Sequence, residues 1–242
     1  TPVISSAASD VYKRQTRPLL EPEIEKIYNS IYLNNRQGSS GATSIAQKLE
    51  TWMHLKANKF IRDGRNILEI GAGTLNHLNF DKSYESYDVI EPFKELYLNS
   101  KNRNKVNNFY SDVGDLEKKK YDYVISFATL EHLENLPYIV STLAKSLNEK
   151  GEFISSIPSE GGFLWGLAWR IGTGLEFKLK YNLDYSNLMR HEHINSCFEI
   201  LYLLKIIFQD VEVYKFGLGN HFSLYQCIKC SNPKFENIEK FI

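Results

Sequence analysis

The passage Ile67-Leu-Glu-Ile-Gly-Ala-Gly73-Thr narrows the fold most, because in it a short apolar strand runs straight into a glycine turn. At such a turn Gly71 and Gly73 let the backbone approach a ligand closely. A dinucleotide pyrophosphate would want a third glycine and a helix N-terminus aimed at negative charge. Position 76 is Asn, and an acid, Glu69, sits two residues before the first glycine. An acid placed there suits a cationic ligand.

The rest of the chain repeats the same strand-then-helix rhythm. Strands are expected at 66–70, 86–90, 106–110, 121–127 and 151–157, with helices over 92–100 and 136–147 between them. Such alternation indicates a parallel, doubly wound sheet. A helix over 196–207 and two further strands, 211–216 and 222–229, close the chain. The short Gly217-Leu-Gly-Asn220 link makes those strands an antiparallel hairpin. Upstream, Pro22 suits the start of a helix over Glu21 to Asn35, and Gln37 to Ala42 is a flexible break. Ile45, Leu49, Trp52 and Met53 then recur at helical spacing until Gly64. The expected fold is α/β: a doubly wound, mostly parallel seven-stranded sheet with a C-terminal antiparallel hairpin, N-terminal helices and an inserted cap. Residues 16–64 form the helical extension and 65–232 the main domain, with the cap at 161–195.

Composition sets the outer limits. At 242 residues and 43% hydrophobic, the chain is long enough for one domain with a full core. Lys+Arg and Asp+Glu are both 29, so there is no basic excess to meet phosphates and no nucleic-acid partner is expected. Three cysteines cannot build a disulfide framework, and Cys227-x-x-Cys230 lacks a second ligand pair, so no metal site is expected. No stretch approaches the ~20 apolar residues of a membrane span and no signal peptide opens the chain, which makes the cytoplasm the expected compartment. All eleven residues of Ser5 to Gln15 match the in-frame translation of a transposase-based sequencing adaptor, so residues 1–15 are expected to be disordered and foreign to the fold.

Further acids follow the later strands. Glu91-Pro92 ends the second strand, eighteen positions past Gly73, where a carboxylate can accept from two ribose hydroxyls. Asp112-Val113 and Asp115 follow the third. Ser126 and Phe127 end the fourth, ahead of Glu131-His132-Leu133. In this order and spacing the segments resemble the class I S-adenosylmethionine-dependent methyltransferases, over roughly Asn66 to Pro158 and beyond. The terminal hairpin fits that family better than the dehydrogenases. The resemblance implies S-adenosylmethionine as cofactor, whose sulfonium and ammonium groups are both positive. By position, Glu69, Gly71, Ala72 and Gly73 would line its methionine part, and Glu91 with Pro92 would meet the ribose. Asp112 and Val113 would meet the adenine, with Ser126 and Phe127 flooring the pocket. Leu75 departs from the pattern, since many members have a third glycine there. Glu131-His132-Leu133 resembles a turn common in the branch acting on small molecules, sugars and lipids.

The acceptor side rests on histidines and aromatics. A hydroxyl acceptor benefits from a base near neutral pKa; His132, His191, His193 and His221 are candidates, and the first three are carried forward as catalytic. His193 and Asn195 resemble the H-x-N arrangement of sugar- and lipid-modifying members. As a metal site His191 and His193 lack a third ligand. Phe163-Leu-Trp-Gly-Leu-Ala-Trp169 is expected to be a packed cap or a lid, with an interfacial helix as the less favoured alternative. The expected function is methyl transfer to a small-molecule or lipid-linked acceptor, preferably a sugar or glycan hydroxyl. Quinone or lipid-precursor methylation, a non-catalytic cofactor-binding protein and, last, a nicotinamide-dependent oxidoreductase are the alternatives. Oligomeric state is left open.

Overall fold

The computed structural model describes residues 17–22, 24–28, 44–63, 65–80, 83–116, 118–219 and 221–242. The adaptor-like residues 1–15, the residues 29–35 of the expected first helix, the break at 37–42 and Gly64 lie outside the described residues. Seven strands form one sheet in the order β3-β2-β1-β4-β5-β7-β6. They are β1 (Asn66–Ile70), β2 (Ser86–Ile90), β3 (Asn108–Tyr110), β4 (Tyr121–Phe127), β5 (Leu147–Pro158), β6 (Phe208–Leu218) and β7 (Phe222–Pro233). The first five run parallel, and β7 pairs antiparallel with both β5 and β6, which is the expected seven-stranded sheet with a terminal hairpin. Chain order reverses between β1 and β4. In open α/β sheets the crevice at the carboxyl ends of the strands flanking such a reversal is where ligands bind.

Alternation along β1 sends Leu68 and Ile70 to one face and Ile67 to the other, so both faces carry a core. The first core is closed by three helices, α3 (Leu136–Lys145), α7 (Cys197–Ile207) and α8 (Phe235–Ile238). Helix α7 starts where Ser196 and Glu199 cap each other's backbone N–H groups. Ile238 is fully buried, so packing continues past residue 232. The second core is covered by α1 (Ser44–Asn58) through Met53 and Ala57. Cys227 joins one core and Cys230 the other, three residues apart on a strand and so on opposite faces. All three cysteines are free and buried.

Among its described residues, the connection from β1 to β2 holds only a 3-10 turn (Asn76–Asn79) where a doubly wound fold would place a helix. The expected helix over 92–100 is a single turn, α2 (Lys94–Tyr97). Side chains replace the missing turns. Asn102 Nδ2 donates to Leu75 O at 3.1 Å and to Asn79 Oδ1 at 3.0 Å, and Ser100 Oγ donates to Thr74 O at 2.7 Å. Between β5 and α7 three helices are inserted: α4 (Phe163–Trp169), α5 (Leu175–Tyr181) and α6 (Tyr185–Glu192). A π-turn (Arg170–Gly174) joins the first two. Phe177 and Leu188 pack on Ile24 and seat this insertion against the N-terminal segment. No helix among the described residues is long and apolar enough to cross a membrane.

Asp88 ties the centre of the sheet to its edge. Its fully buried carboxylate accepts from Lys119 Nζ at 2.7 Å, Tyr121 OH at 2.8 Å and Asn108 Nδ2 at 3.0 Å. Removing a buried acceptor strands its donors. Asp88→Ala is therefore expected to lower the unfolding free energy by about 2–4 kcal/mol in a urea titration.

Candidate active site

The glycine turn is built by close approach. A Cβ on Gly71 (φ +69°) would stand 2.4 Å from the side chain of Thr129, so only glycine fits beside the loop that follows β4. Gly73 (φ +50°) has open space where its Cβ would be, and its N–H donates to Glu91 Oε2 at 2.8 Å. The other oxygen of Glu91 accepts from Phe93 N at 3.1 Å. At the position of the expected third glycine, buried Leu75 itself adopts the left-handed conformation (φ 65°).

Two cavities meet across this turn. The larger, about 970 Å³, is lined by Glu69, Gly71, Ala72, Gly73 and Phe127, and reaches Trp165, Trp169 and Tyr225. The other, about 640 Å³, is lined by Gly71, Gly73, Glu91 and Pro92, and by His132 and His191. Of the sequence-predicted cofactor residues, seven thus converge on one turn. Asp112, Val113 and Ser126 line neither cavity. Asp112 caps the turn Val113–Asp115 by accepting from Gly114 N at 2.7 Å, Val113 is core, and Ser126 is fully buried in β4.

Helix α1 brings a set that the sequence reading missed. Glu50, Met53 and His54 share a face at i, i+3, i+4 and line the larger cavity with His77. Nδ1 of His54 and Nδ1 of His77 are 3.1 Å apart, and both rings pack on Phe127. Burial pushes His54 down to about 4 and, aided by its neighbour, pushes His77 well below the usual imidazole range. Both are therefore neutral near pH 7. The signal was present in the helical spacing of Leu49 and Met53, whose face also carries His54.

The three predicted histidines part company. Burial, then the nearby His193, push His132 down to about 4; its Nδ1 donates to Glu192 O at 2.7 Å. His191 Nδ1 donates to Pro18 O at 2.8 Å, and Arg17 holds both segments through His191 O and His132 O. His193 lines a third cavity of about 520 Å³ with Glu160, Trp165 and Trp169. Trp165 and Trp169 form a wall common to this and the larger cavity. Burial lowers the His193 pKa, but the ion pair of its Nδ1 with Glu160 and the nearby Glu131 outweigh that and raise it. Asn195 does not line that cavity. Its Nδ2 donates to Leu130 O at 2.9 Å and Leu133 O at 2.8 Å, clamping the turn that carries Glu131 and His132.

Acids surround the glycine turn. Glu69, 2% exposed, accepts from Tyr87 OH at 2.6 Å; Glu91 is nearly as buried; Glu50 accepts from Asn76 Nδ2 at 3.0 Å. With the space at Gly73, this is a cradle for a cationic ligand that carries hydroxyls. Strand order, switch-point site and acidic cradle together define a class I methyltransferase fold. The family described as "Methyltransferase domain" matches residues 44–199, and the chain belongs to it, with S-adenosylmethionine as cofactor.

Solved structures agree on the fold. A plantazolicin methyltransferase is 17% identical with a TM-score of 0.56, over 88% of this chain and 92% of that one. A Thermotoga maritima protein described as a possible histamine N-methyltransferase is 16% identical with a TM-score of 0.54, over 77% and 95%. Magnesium protoporphyrin IX methyltransferase from Synechocystis PCC 6803 is 11% identical with a TM-score of 0.54, over 88% and 100%. At these identities the likeness is one of fold. No curated protein matches the sequence.

Fully buried Glu131 gives the site a pH signature. Burial raises its pKa from 4.5 to about 7, with Glu160 adding to and His193 opposing the shift. Between those values the folded state keeps a proton that the unfolded state has released, so this carboxyl's contribution falls as pH rises through the window and stays low above it. Glu131→Gln should remove that loss. The unfolding free energy of wild type relative to the variant is expected to drop by about 1 kcal/mol or more from pH 4.5 to pH 7.5. A pH-independent difference would mean that Glu131 titrates alike in the folded and unfolded chain.

Proposed function

We propose that this protein transfers a methyl group to an oxygen of a sugar or lipid-linked glycan, with the cofactor seated astride the glycine turn. The observation that carries the reading is the clasp between Glu91 and the Gly73 N–H at the meeting point of two cavities. In this reading Glu69, Gly71, Ala72 and Gly73 hold the methionine portion in the larger cavity. Glu91 and Pro92 hold the ribose from the smaller one. By the family pattern Asp112 and Val113 would bound the adenine although they line neither cavity, with Phe127 at the floor of the larger one and Ser126 buried beneath it in β4. Bound S-adenosylmethionine supplies an electrophilic methyl group on a sulfonium.

The chain's own residues position the acceptor and manage its proton. The far half of the larger cavity is ringed by Trp165, Leu167, Trp169 and Tyr225, which exclude water around a bound acceptor. Trp165 Nε1 is buried there with no hydrogen-bond partner among the described residues, leaving one donor for an acceptor oxygen. His193, whose cavity shares the Trp165–Trp169 wall with the larger one, is the base for an acceptor hydroxyl that reaches past that wall: Glu160 fixes its Nδ1 and Nε2 takes the hydroxyl proton. His132 and His191 act by position, joining the Leu130–His132 turn and the end of α6 to Arg17. The apolar ring also favours a second reading, a quinone or lipid-precursor acceptor.

Calorimetric titration tests the cofactor site. Micromolar-range binding of S-adenosylmethionine and S-adenosylhomocysteine is expected, weakened about tenfold or more in Glu91→Ala. Well-folded protein that binds NADH and neither adenosyl ligand would overturn it. His193→Ala should leave S-adenosylhomocysteine affinity unchanged and slow turnover of a glycan or phenol acceptor by about 10²-fold or more. Unchanged turnover would remove His193 as base.

A further inference from the structure

The outer face of the inserted helices carries a stripe that nothing covers among the described residues. Phe163, Leu167, Ile171, Leu175 and Leu179 recur at every fourth position, each between 40% and 79% exposed. On an uninterrupted α-helix a four-residue step drifts ~40°, so five such positions would spiral away from one another. The π-turn at Arg170–Gly174, wider than an α-turn, sets the register back and keeps them on one side. Gly174 permits this wrapping, because a Cβ there would stand 3.0 Å from Trp169 O. The opposite face is anchored: Phe177 is buried against Ile24 and Leu188. The tip of the β6–β7 hairpin extends the stripe, with Leu218 and Phe222 exposed and the Phe222 ring 6.2 Å from that of Phe163.

We propose that this stripe seats the protein on an anionic lipid surface and that the acceptor is drawn from that surface. The charge pattern names the occupant. Within 163–181 the charged residues are Arg170, Glu176, Lys178 and Lys180, three basic to one acidic in a chain of zero net charge. Lys178 and Lys180 are exposed and flank Leu179 by about 100° on either side, where long cationic side chains reach headgroups while their neighbours enter the acyl region. The stripe is also continuous with the site: Leu167 and Ile171 belong both to it and to the lining of the larger cavity. A substrate with an apolar tail therefore passes from the lipid phase into the cavity without crossing water. The inference rests on the methyl-transfer reading for its acceptor, not for the docking itself.

Sedimentation of the full chain with vesicles tests it, with S-adenosylhomocysteine calorimetry run on the same samples. Wild type should co-sediment with phosphatidylcholine vesicles containing roughly one third phosphatidylglycerol, and about tenfold less with phosphatidylcholine alone. Leu175→Asp with Leu179→Asp should abolish sedimentation while S-adenosylhomocysteine binding is retained. Lys178→Glu with Lys180→Glu should remove the preference for the anionic lipid. Absence of vesicle binding with S-adenosylhomocysteine binding intact overturns the docking and leaves the methyl-transfer reading standing. Vesicle binding without adenosyl binding does the reverse. A concentration-dependent dimer that the Leu175→Asp, Leu179→Asp variant dissociates would also overturn it, since a second copy would then cover the stripe.

Discussion

Gly71 lies so close to Thr129 that a Cβ would stand 2.4 Å from that side chain, and its N–H is held by Ile90 O at 2.9 Å. Two residues on, the Gly73 N–H is held by the carboxylate of Glu91. These contacts bind the ends of β1, β2 and β4 to one another at the point where strand order reverses. The turn therefore cannot rise to fill the crevice or sink into the sheet, and it divides the crevice into two cavities. A ligand laid across it meets acids on both sides: Glu69 and Glu50 in one cavity, Glu91 in the other. The cost of holding carboxylates in so little water is offset by donors, with Tyr87 OH on Glu69 and two backbone N–H groups on Glu91.

The same economy of donors separates the histidines by role. His132 and His191 each give Nδ1–H to a backbone carbonyl, which fixes ring and tautomer and braces loops. His54 and His77 face each other through Nδ1 and stay neutral in an aromatic core. His132 also has the Glu192 carboxylate 3.5 Å from Nδ1, but burial and His193 outweigh it, whereas in His193 the pairing with Glu160 outweighs burial and raises the pKa. Base chemistry and structural bracing thus draw on the same residue type, and the partner of Nδ1 tells them apart.

Strands buried on both faces read clearly, and β1, β2 and β4 end where the apolar runs Asn66–Ile70, Ser86–Ile90 and Tyr121–Phe127 end. The terminal strands are longer than the runs read from the sequence because antiparallel pairing continues through polar residues such as Asp210 opposite Ser231. The helix expected at 92–100 shrank to one turn because Ser100 and Asn102 spend their side chains on carbonyls of the β1–β2 connection, a contact across 26 and 27 positions that no local pattern announces. Site residues divide in the same way. The glycine turn and Glu91 were legible because their chemistry is local to strand ends. Glu160 beside His193, and His54 beside His77, come together only through the fold.

The inserted helices show why exposure alone is a poor guide to error or function. A segment that merely lacked a partner would turn its largest apolar groups inward, since burying them is favourable by about 25 cal/mol per Å². Here Phe177 and Leu188 do turn inward, and with them Ile24. Yet the leucines at 175 and 179 are held outward by the same helix, in a register that a π-turn maintains through α4. The inward face secures the insertion and the outward face is left over by geometry rather than by neglect. Because Leu167 and Ile171 border both that face and the larger cavity, whatever covers the stripe also shapes the entrance to the site. The stripe and the larger cavity thus share the side chains of Leu167 and Ile171.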